Sequence, residues 1–267
     1  GLKEKGVEFL ECYDSSPGLG KFRQLIKKHR FVKGRYDVVF VGHTGTTVVP
    51  LVRFLTRKPV IFNALNPLYD GMVLERGVHS RYSPRAVVIW FLDLIAFHLS
   101  SAVLLETDVQ KEYVRTHFFV PARKLFRVFT SVDPRDYRPD PAIQKNAGFV
   151  CVFRGWLTPA TGAEYIVEAA RILKDEGVRF RFIVRGQSVP AIKAMVEKYG
   201  LSNVEILEGY HPMEELRQLI LSGHIYLGQF GSHARLDKTI QFKTVEACAF
   251  GLPYITADLP SNRELLH

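Results

Sequence analysis

The stretch "FKTVEACAFGLPYIT", residues 242–256, has the pattern of a helix that stops at a glycine and passes directly into a strand. Gly251 suits the left-handed conformation that often closes a helix, and Pro253 cannot continue one. The helix carries Lys243 and Glu246 one turn apart near its start. A β-rich run, "IYLG", precedes it, so this segment predicts a strand–helix–strand unit of an α/β domain.

The same alternation runs along the whole chain. Apolar β-rich runs such as "YDVVFVG" (36–42), "PVIFN" (59–63) and "FVCVFRG" (149–155) are separated by helical patterns. "VEFLE" at 7–11 predicts a further strand. Near-continuous apolar strands separated by helices indicate parallel sheets covered on both faces.

A polar, proline-containing segment interrupts this rhythm near the middle of the chain. It predicts two α/β domains, residues 1–138 and 148–267, joined by a linker at 139–147. The chain opens on the tail of a helical pattern and stops inside another. We therefore expect a piece of a longer protein that lacks the first βα unit and a C-terminal tail.

The cysteines and histidines give no sign of a metal site. The three cysteines are far apart and form no ligand-spaced pattern, which indicates a reducing, cytoplasmic setting. The histidines form no ligand-spaced pair, and no DxD motif occurs. We expect no cofactor and metal-independent chemistry.

The positive charge is concentrated in the first half of the chain. Of the formal net charge of +9, residues 1–140 contribute 22 Lys and Arg against 14 Asp and Glu. The segment 21–35 has seven of these cations and no acid. A solvated helix face is the ordinary interpretation, but Phe22, Leu25 and Ile26 add an apolar side, so an anionic membrane surface is the alternative. No nucleic-acid recognition motif is present, and nucleic acid is not an expected partner.

The loop before the opening helix has the composition of an anion site. Ligands of parallel α/β domains bind beyond the carboxyl ends of the strands. The loop "QFGSHARLDKTI" (229–240) supplies Arg235 and Lys238, and the helix start supplies backbone N–H groups. Glu246, one turn further on, is placed to accept two ribose hydroxyl hydrogen bonds. An ordinary surface helix with a Glu–Lys pair is the simpler alternative.

These residues lie within a longer resemblance. The segment 227–266 resembles the donor-site segment of the family-four glycosyltransferases, and segments 155–173 and 201–220 resemble other parts of that family. The resemblance implies the GT-B fold, two Rossmann-like parallel-sheet domains that face each other across a cleft.

The resemblance also implies a reaction. It is that of a retaining hexosyltransferase that moves a sugar from a nucleoside-diphosphate sugar to a glycan, lipid-linked or small acceptor, as in polysaccharide biosynthesis. In that family the residue matching Glu246 binds the donor ribose, and the one matching Lys243 lies near the diphosphate. We therefore expect Lys243 to bind the donor and to act in catalysis. Backbone amides at the position of Gly155 approach the phosphates. The setting would be cytoplasmic, or peripheral on the inner face of the membrane.

The chain departs from the family pattern at three positions. Many relatives have a glutamate where this chain has Lys238, and an arginine and a lysine where it has Trp156 and Thr161. Arg154 and Arg235, together with Lys238, would then supply positive charge to the donor. These departures keep an alternative open, a catalytically inactive nucleotide-sugar-binding protein of the same fold.

The first domain offers two candidates for the acceptor side. His43 lies in "GHTGTT" after one predicted strand, and Asp70 follows the next. His43 would contact the transferred sugar or the acceptor hydroxyl, or would be an ordinary loop residue. Asp70 would act as a general base or acceptor ligand, or would cap the following turn.

Overall fold

The computed structural model describes residues 2–16, 18–75 and 77–266. The chain divides into two compact units, Gly1–Val128 and Phe129–His267. Each unit is built on a parallel sheet, so the predicted α/β class is confirmed. Among the described residues, no helix combines the length and the apolar content needed to cross a bilayer.

The first unit has a four-stranded parallel sheet in the order β1-β2-β3-β4. Its strands are β1 (Val39–Val41), β2 (Val60–Leu65), β3 (Ala102–Leu105) and β4 (Leu125–Arg127). Its helices are α1 (Gly20–Val32), α2 (Val49–Leu55), α3 (Pro84–Leu99) and α4 (Asp108–His117), with a π-helical turn at Asp70–Glu75. Ser83 caps α3 by accepting a hydrogen bond from the backbone N–H of Ala86, as expected before a helix whose first residue is proline.

Two sequence predictions fail in this unit. Residues 7–11 form no strand, and Val7 and Phe9 are exposed, because this segment pairs with no other strand. One face of the sheet buries Phe62 in the core with the helices, whereas Phe40 and Phe126 on the other face are about half exposed. Among the described residues, this sheet is therefore covered on one face and partly open on the other.

The second unit has a five-stranded parallel sheet in the order β7-β6-β5-β8-β9. Its strands are β5 (Phe149–Trp156), β6 (Val178–Arg185), β7 (Val204–Glu208), β8 (Ile225–Leu227) and β9 (Tyr254–Ile255). Its helices are α5 (Ala163–Ile172), α6 (Val189–Lys198), α7 (Met213–Leu221) and α8 (Phe242–Phe250). One buried cluster packs the sheet against α5 and α6 and a second packs it against α7 and α8, so both faces are covered as expected.

The strand order of the second unit places a crevice in the sheet. From β5 the chain moves outward to β6 and β7, and it then returns to β8 on the other side of β5. The order reverses between β5 and β8, and ligands of open α/β sheets bind at the carboxyl ends of the strands at such a point.

The segment expected to be a linker packs against the second unit. Ile143 is buried in the cluster with α7, and Asp140 pairs with Arg217 at 2.8 Å. The side-chain amide of Asn146 donates to the carbonyl of Ser222 at 2.6 Å. The division between the units accordingly falls after Val128, earlier than the composition suggests.

Candidate functional site

Three side chains and one glycine meet where β5 and β8 part. Lys243, in the first turn of α8, donates from Nζ to Oε1 of Gln229 at 3.2 Å, just beyond the end of β8. The same Nζ lies 4.1 Å from the centroid of the Phe153 ring. A Cβ at Gly155 would stand 3.1 Å from it, so the absence of a side chain there leaves room for the lysine. The crevice therefore holds the Lys243 amine beside a strand position that has no side chain.

The Lys243 side chain is partly buried, with its amine against the Phe153 ring. Burial lowers its pKa to about 7, although the nearby Glu246 carboxylate favours the charged form. A lysine with such a pKa is only partly protonated at neutral pH. A bound anion would supply the negative charge that restores full protonation.

Glu246 is completely buried, and both of its carboxylate oxygens are occupied. Oε1 accepts a hydrogen bond from Nη1 of Arg154 at 2.6 Å, and Oε2 accepts one from the hydroxyl of Tyr226. Burial and the Glu246 charge raise the pKa of Tyr226 well above its ordinary value. In this structure the carboxylate joins α8 to β5 and β8 and presents no open side to a ribose.

The loops that follow β5 and β8 are joined at the same edge. The carbonyl of Thr161 accepts hydrogen bonds from the backbone N–H groups of Phe230 and Gly231, at 3.2 and 3.3 Å. Gln229 donates from Nε2 to the carbonyl of Ala160 at 2.9 Å. A Cβ at Gly162 would overlap the backbone of Phe230 and Gly231, so glycine allows this approach. These contacts form a clamp between the two loops. The clamp fixes the side-chain amide of Gln229, which accepts the hydrogen bond from Lys243.

Lys238, which was predicted to supply positive charge to the donor, lies in the loop between β8 and α8. The residue is buried, and its backbone N–H donates to the carbonyl of Arg235 at 2.9 Å. The hydroxyl of Ser261 donates to the carbonyls of Leu236 and Thr239, which holds this loop against the end of the chain. Arg235 is partly buried in the same turn. The structure thus brings Arg154, Lys243, Gly155 and Glu246 together, and Lys238 is buried in the neighbouring loop.

Sequence reasoning missed several residues at this edge. Tyr226 and Gln229 stand within and just after "IYLG", and neither was predicted as a site residue. Both lie at the end of a strand next to the point where the strand order reverses, and this position could have identified them as site residues. Trp156 and Arg185 form the last register pair of β5 and β6, and the guanidinium of Arg185 lies 5.3 Å from the indole centroid. Both residues are exposed, so the Arg185 guanidinium makes a cation–π contact with Trp156 at a solvent-facing position.

The two first-unit candidates have different surroundings. His43 is exposed after β1, and its Nδ1 lies 3.0 Å from the carbonyl oxygen of Ala64. Asp70 is completely buried, and its carboxylate accepts a hydrogen bond from the hydroxyl of Tyr113 at 2.7 Å. This environment favours the structural alternative for Asp70, because a general base must be within reach of its substrate.

A second buried carboxylate, Asp93 of α3, holds the loop after β2. It accepts hydrogen bonds from the backbone N–H groups of Leu68 and Tyr69, at 3.1 and 2.7 Å. Burial raises its pKa to about 7, despite these two hydrogen bonds. In the part of the chain that the structure describes, no three His, Cys, Asp or Glu side chains are grouped to hold a metal ion.

Comparison with known proteins agrees with this architecture. Residues 148–267 match the family model described as "Glycosyl transferases group 1". The putative colanic acid biosynthesis glycosyltransferase WcaL of Escherichia coli K12 is 23% identical over 222 residues, which cover 82% of this chain and 52% of WcaL. The chain thus spans about half the length of the curated relative it matches.

Solved structures of glycosyltransferases share the fold. Anabaena HepE (Alr3699) in complex with UDP-glucose superposes with a TM-score of 0.66 at 16% identity, over 94% of this chain and 68% of HepE. The pneumococcal O-GlcNAc transferase GtfA, in complex with UDP and GlcNAc, superposes with a TM-score of 0.65 at 14% identity. The match covers 90% of this chain and 45% of GtfA. At these identities the likeness concerns the fold, and it confirms the expected pair of Rossmann-like domains.

Proposed function

Because residues 148–267 form a domain of the group 1 glycosyltransferase family, we propose that this chain binds a nucleoside-diphosphate sugar at the β5–β8 crevice and transfers the sugar. The observation that carries the proposal is the meeting of Lys243, Gln229 and Gly155 where the strand order reverses. UDP-sugars are the first donors to test, since HepE and GtfA are solved with UDP-glucose and with UDP and GlcNAc, respectively.

The chemistry requires stabilisation of a leaving diphosphate. As the bond between the anomeric carbon and the diphosphate oxygen breaks, negative charge develops on the diphosphate. A preorganised cation at that place lowers the barrier more than it lowers the ground state. We assign this role to Lys243, with the backbone at Gly155 and the first turn of α8 as further donors. We propose that the transfer is metal-independent and retaining.

Glu246 and Arg154 are proposed to act together. The carboxylate holds the guanidinium at the end of β5, where it adds positive charge to the donor site. A ribose would reach Glu246 only by replacing Arg154 or Tyr226 as a hydrogen-bond partner. Arg235 is proposed to approach the donor from the loop after β8, and Lys238 to support that loop from inside.

The acceptor side is assigned more coarsely. We propose that His43, exposed after β1, contacts the transferred sugar or the acceptor hydroxyl, and that Asp70 positions the neighbouring turn. The acceptor class would be a glycan or lipid-linked sugar of a cell-surface polysaccharide, as the description of WcaL suggests. The reaction would take place at the cytoplasmic face, with the cations of residues 21–35 near an anionic membrane.

The test combines binding with turnover. Thermal unfolding is measured with UDP-glucose, UDP-galactose, UDP-GlcNAc, GDP-mannose and ADP-glucose, because a ligand of the folded state raises the midpoint. The stabilising donor is then assayed for release of its nucleoside diphosphate with and without EDTA, and Lys243→Ala is compared. We expect the donors of one nucleotide class to raise the unfolding midpoint. EDTA should not change the rate of nucleoside-diphosphate release, and Lys243→Ala should lower it.

Two results would count against parts of this proposal. If no donor stabilises the protein, the nucleotide site itself is wrong. If a donor binds and no nucleoside diphosphate is released with any glycan acceptor, the chain is the catalytically inactive binding protein instead. NMR of the product's anomeric proton distinguishes retention from inversion.

A further inference from the structure

Arg185 is an exposed cation at the carboxyl end of the second unit's sheet. It is the last residue of β6, and its register partner is Trp156, the last residue of β5. The guanidinium lies 5.3 Å from the indole centroid, within the range of a cation–π contact. In the part of the chain that the structure describes, this guanidinium forms no hydrogen bond and no ion pair. Its five N–H donors are therefore available to a ligand.

The other arginines of this sheet differ from Arg185. Arg154 of β5 is paired with Glu246 at 2.6 Å, and Arg181 of β6 is paired with Glu205 at 2.7 Å. Arg179 is exposed and, among the described residues, unpaired like Arg185, but it lies near the amino end of β6. Ligands of parallel α/β sheets bind at the carboxyl ends of the strands. Arg185 thus combines an available guanidinium with a position at the ligand-binding edge.

The backbone that carries Trp156 and Arg185 is fixed by close packing. The backbone N–H of Leu157 donates to the carbonyl of Arg185 at 2.7 Å. Gly186, with a φ of 120°, follows Arg185, and a Cβ there would stand 2.5 Å from the carbonyl oxygen of Leu157 and 2.9 Å from Cδ1 of Trp156. Glycine therefore allows the loop after β6 to pack against the end of β5. The ring and the cation are held together before any ligand binds, which reduces the entropy that binding costs.

The pair adjoins the crevice that holds Lys243. Gly155 precedes Trp156 in β5, and a Cβ at Gly155 would stand 3.1 Å from Nζ of Lys243. Successive residues of a strand project to opposite faces of the sheet. Lys243 therefore lies on one face at the end of β5, and Trp156 with Arg185 on the other. An anion just beyond the end of β5 would have a cation on each side.

We propose that Arg185 binds the diphosphate of the donor from the face opposite Lys243, and that Trp156 is a positioning residue that holds the guanidinium there. The inference rests on the proposed donor site at the β5–β8 crevice. A guanidinium binds phosphate through two parallel hydrogen bonds, and it also stacks on aromatic rings. The ring contacts a face of the guanidinium and leaves the N–H donors in its plane for the phosphate oxygens.

The experiment separates the phosphates from the nucleoside. Isothermal titration measures the affinity of the full chain for UDP at low and high salt, and NMR titration measures its affinity for uridine, which lacks both phosphates. Arg185→Gln removes the cation. The matched control is Arg179→Gln, which removes an exposed and unpaired arginine near the other end of the same strand. Trp156→Leu removes the aromatic support, and Trp156→Phe keeps a ring. Thermal unfolding and circular dichroism verify that each variant is folded.

We expect Arg185→Gln to weaken UDP binding about tenfold or more and to leave uridine binding unchanged, because only a contact to phosphate is lost. The salt dependence of UDP binding should also decrease, since one ion pair fewer is screened. Arg179→Gln should leave both properties unchanged. Trp156→Leu should weaken UDP binding by a smaller factor, about threefold, and Trp156→Phe should restore most of it.

Four results would overturn the inference. If the unsubstituted protein binds UDP and Arg185→Gln binds it equally well, Arg185 is excluded and the donor site stands. Equal losses in Arg185→Gln and Arg179→Gln would show an effect of net charge instead of a contact. If Trp156→Leu weakens uridine and UDP binding by the same factor, the ring contacts the nucleobase and not the cation. If the unsubstituted protein binds no UDP, the proposed donor site fails, and this inference fails with it.

Discussion

The guanidinium Nη1 of Arg154 lies 2.6 Å from Oε1 of Glu246, and this ion pair joins the end of β5 to the middle of α8. The carboxylate is completely buried, whereas 29% of the Arg154 side chain remains exposed. Although burial opposes its charge, the Glu246 carboxylate raises the pKa of Arg154. The pair therefore has a structural role before any nucleotide binds.

We expect Glu246→Ala to lower the free energy of unfolding by about 2–3 kcal/mol, since it leaves Arg154 and the Tyr226 hydroxyl without their acceptor. Glu246→Gln keeps the volume and one acceptor oxygen, and should cost about 1 kcal/mol. Urea denaturation of the full chain measures both. Glu205→Ala is the control, because Glu205 pairs with Arg181 at 2.7 Å while 44% of its side chain stays exposed, and it should cost under about 1 kcal/mol. Equal losses at the two positions would show that burial of Glu246 adds nothing.

The low pKa of Lys243 predicts that donor binding takes up protons. The diphosphate of UDP-glucose does not titrate between pH 6 and 8, so proton uptake there reports the protein. Because the site is only partly protonated at neutral pH, affinity should fall as the pH rises through about 7. Isothermal titration in two buffers of different ionisation enthalpy measures the uptake, and Lys243→Met should abolish it. Affinity and proton uptake that stay constant from pH 6 to 8 would exclude Lys243 as the titrating ligand.

Between about pH 7 and the ordinary lysine pKa of about 10.4, the folded state binds fewer protons at Lys243 than the unfolded chain does. This group therefore makes the stability of the free protein rise with pH across that window. Lys243→Met should remove that part of the rise, measured as the difference in unfolding free energy between pH 7 and pH 9.

Gly162→Ala tests the clamp between the loops after β5 and β8. Gly162 and Gly177 share a φ of 71°, but a Cβ at Gly177 meets nothing within 4 Å. Gly177→Ala should cost only the left-handed strain of about 1–2 kcal/mol, whereas Gly162→Ala adds overlap with the backbone of Phe230 and Gly231. We expect the Gly162 variant to lose more stability and also to weaken UDP binding through Gln229. If Gly162→Ala and Gly177→Ala have the same unfolding midpoint, the loops after β5 and β8 can separate with little loss of stability.

Asp93 gives a pH dependence of the opposite sign. Its pKa is raised to about 7, so between about pH 4 and 7 the folded state binds more protons than the unfolded chain, and stability falls as the pH rises. The contribution is a few kcal/mol at most, about 1.4 kcal/mol for each pKa unit. Asp93→Asn should flatten this fall, and unfolding free energies at pH 5 and pH 7.5 measure it. An unchanged difference between the two pH values would mean that another group titrates.

The elements of the fold were largely predictable, because each one carries a local signal. The helix at 242–250 ends at Gly251, whose φ is 66°, as the glycine and the following proline predicted. The failure at residues 7–11 has a simple cause. A β-rich run becomes a strand only when another strand pairs with it, and pairing is not a local property.

The site was predictable in its residue types and only partly in its geometry. Lys243, Gly155, Arg154 and Glu246 come together because they lie at strand and helix ends on one edge of a parallel sheet. The direction in which a side chain turns depends on packing. Lys238 is buried in the loop between β8 and α8, and Glu246 is held by Tyr226 from β8. Sequence spacing carries no information on such packing.

The position of bound UDP tests the central claim most directly. Crystals of the protein soaked with UDP should show difference density for the diphosphate within hydrogen-bond distance of the Lys243 amine and the backbone N–H groups at Gly155. UDP density elsewhere on the molecule would contradict the assignment of this crevice as the donor site. So would an empty β5–β8 crevice after a soak at a saturating UDP concentration.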